Sequence, residues 1–419
     1  VSWFTSDAAV QFYALDDFRE AAMAKNILIF SDGTGQGASM PAVVRSNVWK
    51  LWAATQKAAP GQQIAFYDEG LGAEHKKEWW RLAYDLASKA TGLGISQNIK
   101  DCYVALIEFY EPGDRVFLFG FSRGAYTVRS LGGVLSLCGI PQHDKDGNSA
   151  RAPEDASNAV KDAAKAVRTA LANEAVGTVY QHYGDDQKKQ ERIALGKKFR
   201  TDYESYAIDT GNPPFPYFIG VWDTVRALGV PGSSGVSFLL SHAFHDATLN
   251  PNVPYARQAL SIDENREIFA PEIWDESKEA AEARERERIK QVWFPGVHSD
   301  VGGGYAETGL SDLALAWMIE EATSIPNPVI VDSAKLTLAP SFEGLQHDQR
   351  TGLGQAWKQG TREGVLGGKG PDILHEKHVG DRFRLETARC ITGDAPYRPK
   401  ALTKHKDYES FYKLANPGG

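Results

Sequence analysis

A serine set between two glycines, Gly120-Phe121-Ser122-Arg123-Gly124, has the G-x-S-x-G spacing of an exposed nucleophile. Five positions match often by chance, so the setting decides. The strand-like run RVFLF (115–119) leads into the motif, and the helix-capable run AYTVRSLGGVLSL leaves it. A strand turning sharply into a helix strains the backbone at the serine, and its neighbours must be small for the two elements to approach. The hydroxyl then projects at the end of a sheet, beside the positive end of a helix. Nucleophilic attack on a carbonyl carbon is the chemistry such a group offers.

A serine hydroxyl is a poor nucleophile until a base takes its proton. Of the ten histidines, His298 stands just past the strand-like QVWF (291–294), in the Gly-rich loop FPGVHSDVGGGY. That is the sheet edge where ligands bind in parallel α/β folds. The imidazole needs an acid to orient it. Asp223 follows the apolar run PYFIGVW (216–222) and gives the chain order Ser, Asp, His. Asp300, two residues from His298, and Asp246, in HAFHD, are competing acids.

An oxyanion needs two convergent donors. The N–H of Arg123 is one, and the backbone at Gly33 and Thr34, after the apolar run NILIFS (26–31), is the expected second. The Asp32 carboxylate is expected to turn away and brace the loop. SDGTGQG lacks both the P-loop Gly-Lys-Ser/Thr and the G-x-G-x-x-G spacing, so no nucleotide site is expected. His242, His245 and Asp246 lack further ligand spacing. Neither a metal nor an organic cofactor is expected.

The elements that must position these groups alternate. Strands are expected at 26–31, 64–67, 115–119, 216–222 and 291–294, and helices at 46–59, 94–110 and 311–322. This alternation predicts an α/β fold, a mostly parallel sheet with helices on both faces, of the α/β-hydrolase type. The charged stretch 275–290 reads as a solvated helix, and the Gly-rich text after Ser324 as peripheral loops. Residues 142–210 are rich in Ala, Lys, Asp and Glu and read as a helical insertion, a candidate lid over the site. The expected organisation is an N-terminal extension (1–25), one catalytic domain (26–400) carrying that insertion, and a C-terminal tail (401–419).

Bulk composition narrows the class further. Of 419 residues, 42% are hydrophobic and 24% charged, the balance of a globular chain. The net charge of −8 argues against nucleic-acid binding and gives no reason for attraction to anionic membranes. Cys102, Cys138 and Cys390 lack any Cys-x-x-Cys spacing, so neither a disulfide framework nor a zinc knuckle is expected. No apolar run is long enough to span a bilayer, and the first residues lack the basic-then-apolar pattern of a secretory signal. A cytoplasmic, soluble protein is expected, with signal-less export left open.

At these motifs the chain resembles an uncharacterised α/β-hydrolase family that includes the catalytic domains of type VI secretion phospholipase effectors. The matching elements are SDGTGQ (31–36), YDEGLG (67–72), GFSRGAYTVR (120–129), GVWDTV (220–225) and HDATL (245–249). YARQALSIDENR (255–266), WFPGVHSDVGGGY (293–305), GLSDLALAWM (309–318) and YRP (397–399) complete the set. The resemblance implies an esterase acting on lipid ester bonds, with nucleophile, acid and base on Ser122, Asp223 and His298. The expected partner is a small-molecule or lipid ester, and no protein partner is named by the sequence. An amidase or peptidase with the same three residues, or a non-catalytic module on a hydrolase scaffold, are the alternatives.

Overall fold

Along β1 (Asn26–Ser31), Ile27 and Ile29 belong to one buried apolar layer, and Leu28 and Phe30 to another. A strand apolar on both faces belongs inside a parallel sheet covered on each side. The computed structural model, which describes residues 24–33, 44–70, 92–207, 214–225, 248–362 and 373–415, has that sheet. Among the described residues it contains β2 (Gln63–Asp68), β1, β3 (Arg115–Phe121), β4 (Pro216–Trp222), β5 (Tyr255–Ser261), β6 (Ile289–Phe294) and β7 (Ile373–Leu374), in that spatial order. All six pairings are parallel. The chain steps outward from β1 to β2, then returns to place β3 on the other side of β1. That reversal opens a crevice at the carboxyl ends of β1 and β3, where ligands bind in such sheets.

One face is covered by α1 (Asn47–Thr55) and α8 (Gly309–Thr323), which pack on Leu28, Phe30, Phe117, Phe119 and Phe218. Ser46 caps α1 by accepting the N–H of Trp49 at 3.1 Å. The other face is covered by α2 (Gly92–Phe109) and α3 (Arg123–Cys138), whose Ile99, Tyr103, Leu106, Val128 and Leu131 meet Ile27, Ile29, Val116 and Leu118.

The insertion folds as α4 (Asn158–Asn173), a π-helical turn Glu174–Tyr180 and α5 (Asp186–Asp202). It was expected as a candidate lid over the site. Its described part packs against α2 and α3. Ala175, Val176, Val179 and Tyr180 are buried in the sheet-side layer, while Val160 and Ile193 of its helices are exposed. The Tyr180 ring leaves no room for a Cβ at Gly133, and Arg200 donates to the Leu137 carbonyl at 2.6 Å.

Three further expectations are corrected. β5 was not foreseen. The long charged helix over 275–290 is a 3-10 turn (Glu276–Lys278) and the short α6 (Ala281–Glu285), because Ile289 already opens β6. Beyond Ser324 the chain builds a third apolar cluster rather than peripheral loops. α9 (Glu376–Arg384), the 3-10 turn Lys400–Leu402 and α10 (Tyr408–Ala415) bury Val379, Phe383, Leu402 and Phe411 in a cluster with Leu260 and Trp293 of the sheet. Residues 401–415, expected as a tail, therefore take part in the core. Residues 1–23 of the expected extension and 416–419 lie outside the described residues.

Candidate active site

Ser122 sits between the last residue of β3 and the first of α3, with φ 57° and ψ −120°. This is a backbone state that side-chain-bearing residues rarely adopt. It persists because both flanking elements are fixed by packing. Gly124 is required there, since a Cβ on it would lie 2.0 Å from the Ser31 carbonyl oxygen of β1. The Ser122 N–H donates to the carbonyl of Trp222 at 3.0 Å, so the residue that follows β4, Asp223, is delivered beside the elbow. Asp223 also has positive φ, 38°, one of five such non-glycine residues among those described. Two of five strained positions therefore lie next to each other at one sheet edge, the pattern expected where function dictates geometry.

His298 begins α7 (His298–Gly302), directly after β6 and its turn. Its Nδ1 donates to Oδ2 of Asp223 at 2.6 Å, both side chains being buried. That bond fixes the tautomer, leaving Nε2 as the unprotonated nitrogen of the neutral ring. The ring packs between Phe121, 4.6 Å away by centroid, and Phe269, 5.0 Å away. Gly302, in the glycine run after His298, has no space for a side chain because the Phe121 ring fills it. The helix carrying the histidine thus lies against the residue that precedes the serine.

The acid is held from three sides. Ser261, at the end of β5, donates its N–H to Oδ1 at 3.0 Å and its hydroxyl to Oδ2 at 3.2 Å. Arg362 reaches both oxygens, at 3.2 and 2.9 Å. Burial would push the Asp223 pKa up, but the Arg362 cation, and after it His298, hold it at about 2. A second buried pair stands behind the imidazole. Glu264 accepts the His298 N–H at 3.2 Å and a two-point bond from Arg266 at 2.7 and 2.9 Å. The His298 pKa lies below its ordinary value because burial outweighs the attraction of Asp223.

The other expected residues fall as follows. Asp32 braces its loop: its carboxylate accepts the Gly33 N–H at 2.7 Å, the Ser46 hydroxyl at 2.5 Å and the Tyr67 hydroxyl at 2.6 Å. Burial still raises its pKa to about 7. The Gly33 N–H expected to face the oxyanion is therefore engaged by Asp32. Thr34 and Asp246, with His242 and His245, lie outside the described residues. Arg123 opens α3, so its N–H is one of the four donors a helix start leaves unshared. Asp300 does not face His298; it binds His347, through Nδ1 at 2.7 Å and N–H at 3.0 Å, and ties that loop to α7. Among the described residues, no three His, Cys, Asp or Glu side chains are grouped to hold a metal ion.

Arg362, Ser261, Glu264, Arg266 and Phe269 went unforeseen. Glu264 and Arg266 lie in the block YARQALSIDENR, and their i, i+2 opposite charges after a strand were the available signal. Arg362 lies 139 residues from its partner and has no motif around it.

The catalytic-domain model of the type VI secretion (T6SS) phospholipase effector Tle1-like family matches residues 25–321. An uncharacterised protein of Saccharomyces cerevisiae, YEL023C, is 27% identical over 128 residues, 29% of this chain and 18% of its own length. An uncharacterised Pseudomonas aeruginosa protein of known structure is 17% identical, with a TM-score of 0.41 over 76% of this chain and 48% of that one. The Tle1 effector bound to the VgrG spike is also 17% identical, with a TM-score of 0.31 over 72% and 56%. The Thermogutta terrifontis esterase 2 is 12% identical, with a TM-score of 0.34 over 73% and 86%. At these scores the superpositions carry no argument. This chain spans less than two thirds of the length of the yeast and Pseudomonas relatives. The family match alone covers well over half the chain, and the protein belongs to the T6SS phospholipase effector Tle1-like family through its catalytic domain.

Proposed function

We propose that this chain hydrolyses the acyl ester bonds of lipids through an acyl-enzyme on Ser122. The observation that carries the reading is the 2.6 Å bond between His298 Nδ1 and a fully buried, ionised Asp223, beside a serine at φ 57°. Ser122 Oγ attacks the acyl carbonyl carbon while Nε2 of His298 takes its proton. Asp223 stabilises the imidazolium that forms. The Arg123 N–H, reinforced by the start of α3, receives the negative charge developing on the carbonyl oxygen. Thr34 is assigned the second donor by its place after Gly33, whose own amide is occupied. The tetrahedral adduct collapses, His298 returns the proton to the departing alcohol, and a water activated by the same histidine releases the acid.

The test is labelling of wild type and Ser122→Ala with a fluorophosphonate, read by intact mass. One adduct on wild type and none on the variant supports an activated serine, and hydrolysis of a lipid ester panel then assigns the substrate. A well-folded wild type that takes up no label, or a variant that still does, overturns the reading.

A further inference from the structure

The motif Tyr397-Arg398-Pro399 lies beyond residues 25–321, which the family model matches, and no step of acyl transfer uses it. Two of its residues serve the C-terminal cluster. Arg398 donates to the Phe383 carbonyl near the end of α9 at 3.0 Å, and Pro399 leads into the turn Lys400–Leu402. Tyr397 differs. Its ring is buried edge-on against Phe383, 5.5 Å away by centroid, while its hydroxyl donates to Oδ2 of Asp263 at 2.8 Å. Phenylalanine would make the same ring contact, so what the hydroxyl adds is the bond to Asp263.

Asp263 stands at the entry to the catalytic base. The same Oδ2 accepts the Gly296 N–H at 2.7 Å, and the Asp263 N–H donates back to the Gly296 carbonyl at 3.0 Å. Gly296, at φ 107°, lies in the turn between β6 and His298. The next two amides are held in the same manner, Val297 by Asp300 at 3.1 Å and His298 by Glu264 at 3.2 Å. Three successive N–H groups thus meet three different carboxylates, and the imidazole inherits its place from them. Each carboxylate has its own anchor. Arg266 fixes Glu264, His347 fixes Asp300, and Tyr397 fixes Asp263. The terminal torsion of an aspartate is broad, and a second donor on one oxygen narrows it.

We propose that Tyr397 is a positioning residue for acyl transfer: through Asp263 and Gly296, its hydroxyl fixes the turn that aims His298 at Ser122. The inference rests on the hydrolase reading above and goes beyond it. It makes the C-terminal cluster, which carries Tyr397, part of the catalytic alignment.

The test removes one oxygen and counts only working sites. Wild type, Tyr397→Phe, Asp263→Ala and the double variant are titrated to completion with a fluorophosphonate, and kcat, KM and Tm are measured with a soluble short-chain ester. Tyr397→Phe is expected to lower kcat per titrated site, and the labelling rate with it, by about tenfold, a fraction of the cost of a 1 Å error in aim. KM should stay within about twofold, since the aim of His298 is felt in the transition state. Asp263→Ala, which leaves the Tyr397 ring in place, should show at least the same loss. Adding Tyr397→Phe to it should lower kcat no further, because the hydroxyl acts through that carboxylate. A Tyr397→Phe variant with a lower Tm and wild-type kcat per titrated site overturns the proposal, as do losses that multiply in the double variant; both leave the hydrolase reading standing. A well-folded wild type that takes no label overturns that reading, and the inference with it.

Discussion

Arg362 grips both carboxylate oxygens of Asp223, at 2.9 and 3.2 Å, with the two side chains almost wholly buried. The negative charge that orients His298 is therefore shared with a cation. Glu264 and Arg266 form a second neutralised pair on the backbone side of the same histidine, and the rings of Phe121 and Phe269 pack against it. The base thus sits among two acids and two arginines whose charges balance.

Removal of the Arg362 charge leaves all of the Asp223 field facing His298. The imidazolium is then favoured, the His298 pKa rises, and the acid limb of the kcat/KM profile moves to higher pH. Arg362→Gln is expected to show that move together with a loss of stability of about 3–5 kcal/mol, the cost of a broken buried pair. Arg362→Lys keeps the charge and should hold the acid limb near its wild-type position. A pH–rate profile of the two variants, on a lipid ester, checks the difference.

Asp223→Asn and Ser122→Ala should separate chemistry from stability. Both are expected to reduce esterase activity by about 10³-fold or more. Only the asparagine leaves the Arg362 guanidinium buried opposite a neutral group, so only it should also lower Tm. Parallel melting curves and rate measurements decide the point; equal Tm values for the two variants would count against the ion pair.

Gly124→Ala adds a carbon 2.0 Å from the Ser31 oxygen, between two fixed backbones that have nowhere to move. The expected outcome is a loss of fluorophosphonate labelling with a destabilisation of about 3 kcal/mol or more, larger than an ordinary helix Gly→Ala change. Denaturant titration beside probe labelling measures both.

Asp32, buried after β1, and Asp68, half-buried at the end of β2, give a pH dependence of the opposite sign to Asp223. Burial raises Asp32 to about 7 and Asp68 to about 6, both above the unfolded value of 3.8. The folded state then binds more protons than the unfolded one between pH 4 and 7, so these two groups withdraw stability as pH rises through that window. Asp223, held at about 2, contributes stability above pH 4 that is lost as pH falls toward 2. Tm measured from pH 4 to 8 should therefore fall less steeply for Asp32→Asn than for wild type. A steeper fall in the variant would refute the assignment of the Asp32 proton.

The strand ends that carry the site were legible because apolar runs stop abruptly at polar residues there: Ser31-Asp32, Phe121-Ser122, Trp222-Asp223 and Phe294 before the His298 turn. β5 escaped for the converse reason. Its Arg257 and Gln258 are buried, Arg257 against Glu321 and Gln258 against Thr224 and Gln291, and hydropathy cannot see a polar residue satisfied by a partner far along the chain. The 275–290 stretch misled because its charges suit a helix, while Ile289 and the sheet beyond it impose an extended chain. Arg362 and His347 were invisible in the same way, since each takes its meaning from an aspartate more than forty residues away.

The all-parallel register has a practical consequence. Each strand end hands over its reacting group by position alone, and successive residues of a strand face opposite sides. A slip of one residue in β4 would present Trp222 or Thr224 where Asp223 belongs, and a slip in β3 would offer Phe121 or Arg123 in place of Ser122. Covalent capture of Ser122 by a small electrophile is therefore an assay of alignment across the middle of the sheet. In a library of variants made for expression or thermal tolerance, the labelled fraction would count the molecules whose strands are correctly threaded, with no knowledge of the natural substrate.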